Sequence, residues 1–461
     1  SFQRPPPAMT RFIVRSAGPL RGTVRVPGDK SIGHRAVIFG SLARGRCVVR
    51  GLAGGEDNRS TIACFREMGV DIQLDGDTAV IEGVGLRGLS MPKGVLDCGN
   101  SGTTMRLLAG LVSAQRFGTR LVGDASLSRR PMGRVVGPLR ARGAHIAGSD
   151  REGRAVKEGE ECFPPLSIAP LVEGEQLAGL EYDMPVASAQ VKSCLLLSGL
   201  YAAGPTVLRE PVVSRDHTER MLGELGVPIQ TAGSVVMLDP SADEWSGGWD
   251  PFEWEVPGDL SSAAFLLAAA QLVEGSRVRL EGVGVNPTRT GLLDAMRLMG
   301  VPVQQETREE GAGGEPRADL TTSPGRPRRT LLGGELLVRM IDEVPAFCAL
   351  AVAAAGTTEI RDARELRVKE SDRIAAMAAV LGAFGVPHEE LEDGLRIEGG
   401  GSLQGATVES RGDHRIAMAA AVLGMAAEGE TVIEDVDCVA TSFPTFAETF
   451  RSLGADVEVQ S

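Results

Sequence analysis

Basic and hydroxyl side chains recur beside glycine turns at points where an apolar helix is about to start. In 27-PGDKSIGHR-35, Lys30, Ser31, His34 and Arg35 follow a Pro-Gly turn. If a helix begins near Ser31, its unsatisfied N–H groups and its dipole face that turn. Lys30 then sits at the mouth and Arg35 shares the face of Ser31, four residues on. Such a start suits an anion, although it lacks the glycine run of a P-loop. A second turn, 97-DCGNSGTTMR-106, frees the backbone at Gly99 and Gly102 and offers Asn100, Ser101, Thr103 and Arg106. The pattern returns in 187-ASAQVKS-193, where Ser188, Ala189, Gln190 and Lys192 precede an apolar run. Two further segments, 128-SRRPMGR-134 and 214-SRDHTERML-222, add arginines, Arg130 and Arg215 among them. Each alone is equally an ordinary capped helix or a solvated charged face; their recurrence points to a site.

The second half carries the acids. Asp342 and Glu343 stand just before a proline in 339-RMIDEVPAF-347, and Lys369, Glu370 and Arg373 lie together in 366-LRVKESDRI-374. If that segment is helical, Lys369 and Arg373 share a face. In 411-RGDHRIAMAAAV-422, Asp413, His414 and Arg415 abut another apolar helix, while 440-ATSFPTF-446 offers hydroxyls. Carboxylates among lysines and arginines suit proton transfer on a substrate with several negative charges. The residues alone therefore indicate an enzyme for phosphorylated or carboxylated small molecules.

The elements that must position these groups follow from the rest of the chain. Its 461 residues imply two or more domains, at roughly 100–200 residues each. A net charge of −13 argues against nucleic-acid or anionic-membrane binding by bulk charge, and no apolar run is long enough to span a bilayer. The seven cysteines form no CxxC and no metal-ligand spacing with the five histidines, so free thiols in a reducing compartment are expected. Residues 1–8 read as a disordered leader or a cloning remnant.

A helix ending in glycine and followed at once by an apolar strand occurs six times, at Gly69, Gly143, Gly226, Gly300, Gly385 and Gly454. A left-handed glycine closing a helix explains each, and the near-even spacing implies six similar α/β units, three in each of two domains. Short alternating strands such as 276-SRVRLEGV-283 and 430-ETVIEDV-436 follow helices that are apolar nearly all round, such as 261-SSAAFLLAAAQLV-273. A helix of that kind belongs inside its domain, with the sheets outside.

The motifs PGDKSIGHR, GNSGTTMR, RRPMGR, ASAQVKS, RDHTE, NPTRTG (286–291), MIDEVP, LRVKESDR, GDHRIAMA and ATSFPTF run in order from residue 27 to 446. In this set the chain resembles the 5-enolpyruvylshikimate-3-phosphate synthase family, in its second, bacterial class. The resemblance implies an α/β fold of two domains, each with three βαβαββ repeats, helices inside and sheets outside. It places one domain at 28–256, on the shikimate 3-phosphate side, and the other at 9–27 plus 257–461. The first strand would join the C-terminal domain, with crossings at the two VPGD segments, and the domains would close on substrate.

The resemblance also implies carboxyvinyl transfer from phosphoenolpyruvate to the 5-hydroxyl of shikimate 3-phosphate, in the cytoplasm, by a monomer without metal or organic cofactor. Lys30 would touch both substrates and assist proton transfer. Ser31, Arg35, Ser188, Ala189, Arg215, Asp342 and Lys369 would hold shikimate 3-phosphate, with Asp342 as the base for its 5-hydroxyl. Asn100, Gly102, Arg130 and Gln190 would take the phosphate end of phosphoenolpyruvate, Arg373 and Arg415 its carboxylate, with His414 alongside, and Glu370 would protonate its carbon. Glyphosate binding is expected because Gly102 is glycine. Two departures stand out: Ala189 replaces the second serine of a pair, and Thr441 replaces a lysine. A sister transferase acting on UDP-N-acetylglucosamine is disfavoured by Lys30-Ser31 and by the absence of cysteine from 123-GDASLSRRPMGR-134. An RNA-end-binding module is disfavoured by the acidic charge and by aromatics at only 4%.

Overall fold

The computed structural model describes residues 10–152, 154, 156 and 160–461, so the expected leader at 1–8 lies outside the described residues. The chain forms two compact units. The first is Pro27–Pro257 with Glu309–Pro316; the second is the chain up to Val26 with Gly258–Arg308 and Arg317–Ser461.

The six anticipated helix-closing glycines all have positive φ, from 73° at Gly226 to 101° at Gly454. An L side chain rarely adopts that conformation, and glycine does so without steric cost. Each glycine releases the chain into an edge strand, for example Asp71–Asp75 after Gly69 and Asp456–Gln460 after Gly454. Among the described residues there are six four-stranded sheets, three in each unit. All share one plan: a parallel first pair, then two antiparallel pairings.

Three sheets are completed by distant chain, one of them by Arg21–Val24, which pairs parallel with Arg277–Gly284. Arg11–Arg15 pairs antiparallel with both Glu430–Glu434 and Asp456–Gln460, filling the place held elsewhere by the hairpin strand of the same repeat. Glu253–Glu255 pairs parallel with Arg44–Arg50 and closes the first unit on itself. One feature departs from the expected 28–256 boundary. Glu309–Pro316 leaves the second unit and packs on the first, where His217 Nδ1 lies 2.6 Å from a Glu315 carboxylate oxygen.

The inner helices explain their own composition. Every residue from Leu260 to Gln271 is buried in the Leu260–Leu272 helix, and all nine residues of Val344–Val352 and all eleven of His414–Gly424 are buried. Lys30–Leu42, Gly102–Val112 and Ala189–Gly199 play that part in the first unit.

One buried cation ties that core together. Arg142, 1% exposed, donates to the carbonyls of Ala178 and Leu195 and to the hydroxyls of Ser198 and Thr206. Burial pulls its pKa down to about 10, with no carboxylate among these partners. Arg142→Met strands those acceptors and should cost about 2 kcal/mol in urea unfolding, since a lost buried hydrogen bond to a charged group is worth about 1.5–3 kcal/mol. A midpoint equal to wild type would contradict this role.

Candidate active site

In the first unit, the caps of all three inner helices come from the motif residues. Asp29, rather than Ser31, caps Lys30–Leu42, accepting the Ile32 N–H at 2.9 Å. An ionised carboxylate complements the positive helix end better than a hydroxyl, and Lys30 and Ser31 thereby become the first helical residues. Ser101 caps Gly102–Val112, accepting from Thr104 N at 3.1 Å, and Ser188 caps Ala189–Gly199, accepting from Val191 N at 3.4 Å. The Ala189 N–H is thus among the free donors of its helix start.

Side chains of these first turns bond across to one another, which puts the helix starts at one end of the unit. Gln190 accepts from Arg106 and donates to Thr103 Oγ1 at 3.0 Å. Arg130 donates to Asn100 Oδ1 at 2.6 Å, and Asn100 donates to Asp124 at 2.7 Å. Gly102 sits between two guanidiniums. A Cβ there would stand 3.0 Å from an Arg106 nitrogen and 3.1 Å from an Arg130 nitrogen. Arg35 is 3% exposed and donates to Thr218 Oγ1, the Ser31 carbonyl and Ser193 Oγ at 2.6–2.8 Å. Burial lowers its pKa to about 10, Glu219 and Asp29 oppose that fall, and Arg215 adds to it, so Arg215 is a neighbouring charge. It remains a cation at neutral pH.

Lys30 Nζ lies 2.7 Å from Asp57 Oδ2, with the two side chains 14% and 8% exposed. Asp57, Asp124, Ser193 and Thr218 are members of this set that the sequence did not single out, and Arg106 had no substrate role. Arg106 lay within a quoted motif; for Asp57 the only signal is the Gly54-Gly55 turn before its helix.

The second unit gathers the other half of the expected residues. Arg373, 1% exposed, donates to Glu370 at 2.6 Å and to Asp413 at 2.8 Å, and its Nη1 lies 3.5 Å from Asp342. Burial pulls its pKa down, but Asp413, Glu370 and Asp342 outweigh that and raise it above the ordinary value, so its charge is permanent. Lys369 Nζ is 3.4 Å from Asp342. Lys369 and Arg373 do not share a helical face: Lys369 follows the 3-10 turn Arg364–Val368, and Arg373 opens the helix Arg373–Ala383 behind the Asp372 cap. Asp342 brings them together instead.

His414 and Arg415, 2% and 6% exposed, open the next helix, capped by Asp413. Thr441 ends the 3-10 turn Asp437–Thr441, which packs on that helix. The NPTRTG arginine, Arg289, contacts Asp259, Ser261 and Glu343 from inside the core, one residue from Asp342. Among the described residues, no group of three or more His, Cys, Asp and Glu could hold a metal ion, and no helix is long and apolar enough to cross a membrane.

Cationic helix starts in one unit, and carboxylates held by a lysine and an arginine in the other, are the kinds of group that anion binding and proton transfer require. Comparison with known proteins agrees. The family model for EPSP synthase (3-phosphoshikimate 1-carboxyvinyltransferase) matches residues 14–450. A 3-phosphoshikimate 1-carboxyvinyltransferase of Geobacter sulfurreducens is 52% identical over 440 residues, covering 95% of this chain and 98% of that protein. One from Bacillus thuringiensis (strain Al Hakam) is 46% identical over 436 residues, covering 94% and 97%. The solved EPSP synthase of Acinetobacter baumannii superposes with a TM-score of 0.84 at 42% identity, covering 98% of this chain and all of that one. With its motifs, its repeated sheets and these relatives in agreement over nearly its whole length, the chain belongs to the EPSP synthase family of 3-phosphoshikimate 1-carboxyvinyltransferases.

Proposed function

We propose that this enzyme transfers the carboxyvinyl group of phosphoenolpyruvate to the 5-hydroxyl of shikimate 3-phosphate and releases inorganic phosphate. A proton added to the C3 methylene makes C2 electrophilic. The 5-oxygen adds to C2 and loses its proton, leaving a tetrahedral ketal that still carries phosphate. The new methyl group then returns a proton while the C2–O bond to phosphate breaks, which restores the enol ether. The steps need an acid for carbon, a base for the hydroxyl and cations for the developing charge.

Glu370 supplies the carbon proton in this reading and Asp342 removes the hydroxyl proton. Lys30 contacts both substrates and stabilises charge as it shifts to the leaving phosphate. Ser31, Arg35, Ser188, the Ala189 N–H, Arg215 and Lys369 hold shikimate 3-phosphate, Arg35 through the N–H groups its three internal bonds leave over. Asn100, Gly102, Arg130 and Gln190 hold the phosphate of phosphoenolpyruvate, Arg373 and Arg415 its carboxylate, with His414 alongside. The same reading makes the protein a monomeric cytoplasmic enzyme that uses no metal or organic cofactor.

The observation that carries the phosphate assignment is the bare backbone of Gly102 between Arg106 and Arg130. Phosphate release should require both substrates and persist in chelator; no release from folded protein would overturn the reading, and UDP-N-acetylglucosamine would be tested next. Glyphosate is expected to compete with phosphoenolpyruvate at this loop. Gly102→Ala pushes a methyl group against both guanidiniums, so titration should show glyphosate inhibition weakened by about tenfold or more, the scale of one displaced charged hydrogen bond. Equal inhibition of both forms would remove glyphosate from the loop.

A further inference from the structure

His34 stands in the same turn as Lys30 and Arg35, yet it is fully buried and has no part in the assignments above. Its Nδ1 lies 2.7 Å from Thr61 Oγ1, and Thr61 Oγ1 lies 2.7 Å from Thr104 Oγ1. Thr104 donates its hydroxyl proton to Ser101 Oγ at 2.8 Å and its backbone N–H to the same oxygen at 3.1 Å. The chain runs from one inner helix, through Glu56–Glu67, to the cap of another, and none of its four residues is more than 1% exposed.

The geometry fixes its direction. A hydroxyl has one proton. Thr104 spends its proton on Ser101, so it must accept from Thr61. Thr61 has then spent its own, so it must accept from His34. The imidazole therefore carries its proton on Nδ1, and Nε2 is a bare lone pair, consistent with its burial without a hydrogen-bond partner. Burial, with Lys30 and Arg35 nearby and Asp29 opposing, keeps the imidazole pKa well below its ordinary value, so the ring is neutral.

The other neutral tautomer would accept from Thr61 and reverse the chain. Thr104 would then turn its proton from Ser101 towards Thr61. With the Nδ1–H tautomer Ser101 only accepts within the chain, which keeps it seated as the helix cap and leaves its own proton for an acceptor outside.

We propose that His34 is a positioning residue: its Nδ1–H sets the direction of the Thr61–Thr104–Ser101 hydroxyl chain and thereby seats the Asn100–Gly102 loop that takes the phosphate of phosphoenolpyruvate. The role in binding rests on the loop assignment made above; the tautomer does not.

The direct test is nitrogen NMR of the 15N-labelled enzyme, with the His34 signals identified by their loss in His34→Asn. An Nδ1–H ring is expected, and an Nε2–H ring would overturn the proposal whatever the kinetics. The amide nitrogen of asparagine reaches about the place of imidazole Nδ1, so His34→Asn should keep KM for phosphoenolpyruvate within about threefold of wild type. His34→Leu, which leaves a buried acceptor open, should raise it by about tenfold and change kcat less. Thr61→Val keeps the imidazole but removes the hydroxyl that it and Thr104 share, and should act like His34→Leu. Unchanged KM in both, or an asparagine variant as impaired as the leucine one, would sink the positioning role. Gly102→Ala, run alongside, tests the loop assignment separately: no effect there on phosphoenolpyruvate or glyphosate would overturn that assignment and leave the tautomer spectrum to decide the chain.

Discussion

Lys30→Met should lower phosphate release from phosphoenolpyruvate plus shikimate 3-phosphate by about 10³-fold, the scale seen when one preorganised charge-stabilising donor is removed. Methionine keeps the unbranched stem and loses only the ammonium. Two physical effects contribute. The ammonium stands at a helix N-terminus, where N–H groups and dipole already favour an anion, so its charge adds to a prepared field. Its removal also leaves Asp57, with a side chain 8% exposed, as an uncompensated carboxylate beside the proposed anion site. At an effective dielectric of about 20, two charges about 4 Å apart interact by about 4 kcal/mol, which is itself about 10³ in rate. The single variant therefore cannot separate lost chemistry from new repulsion, and Lys30→Met/Asp57→Asn is needed. Recovery of most activity in the double variant would make the lysine a charge shield; a double variant as inactive as the single one assigns the ammonium to the reaction. A single variant within about threefold of wild type would remove Lys30 from the site altogether.

The repeat was legible because it is written in local chemistry. A glycine forced to positive φ after a helix, such as Gly69 or Gly300, needs only its neighbours to be recognised. A helix as uniformly apolar as Leu260–Leu272 declares its own burial. What escaped was set by partners far away in sequence. The sequence starts the first inner helix near Ser31 without settling its cap, because Ser31 and Asp29 are both good caps and only the fold selects one. Lys369 and Arg373 look like helical neighbours in the sequence, whereas Lys369 follows a 3-10 turn, Arg373 opens the next helix, and Asp342 brings them together. Asp57 carried no motif, and its meaning comes from Lys30 alone. The excursion Glu309–Pro316 reads as a Gly- and Glu-rich loop, but nothing in it says which unit it joins; that is fixed by Glu315 meeting His217 and by Gly313 lying against Met221. Even Arg35, read correctly as a basic residue at a helix start, is held by Ser193 and Thr218, which no periodicity connects to it. The motifs thus name the candidate residues, and the buried polar network decides how they are held.

The largest effect on stability is expected at the lysine of the ASAQVKS motif. Lys192 is 1% exposed and its ammonium lies 2.7 Å from both Glu210 and Glu219, with the Ser214 carbonyl at 3.3 Å. Glu210 also accepts from the backbone and hydroxyl of Ser214, the residue just before Arg215, so the triad anchors the loop that presents that arginine. Lys192→Met leaves two buried carboxylates without a cation and should cost about 3–5 kcal/mol, the usual penalty for stranding a buried charge. The pH dependence identifies where that charge sits. Burial raises the Glu219 pKa above its ordinary value, while Lys192 pulls it down. Folding therefore takes up a proton at this group. Its contribution is complete below the unfolded carboxylate value of about 4.3 and is lost as pH rises through the folded value. With Lys192 gone the opposing attraction disappears and the folded value climbs further. The stability gap between wild type and Lys192→Met, measured by urea unfolding, should accordingly narrow towards pH 5 and widen towards pH 8. Carboxylates elsewhere titrate alike in both proteins and cancel in the difference. Adding Glu210→Gln and Glu219→Gln should recover much of the loss and flatten the gap; a gap that stays constant from pH 5 to pH 8 in the single variant would mean that the stranded charge is not on Glu219.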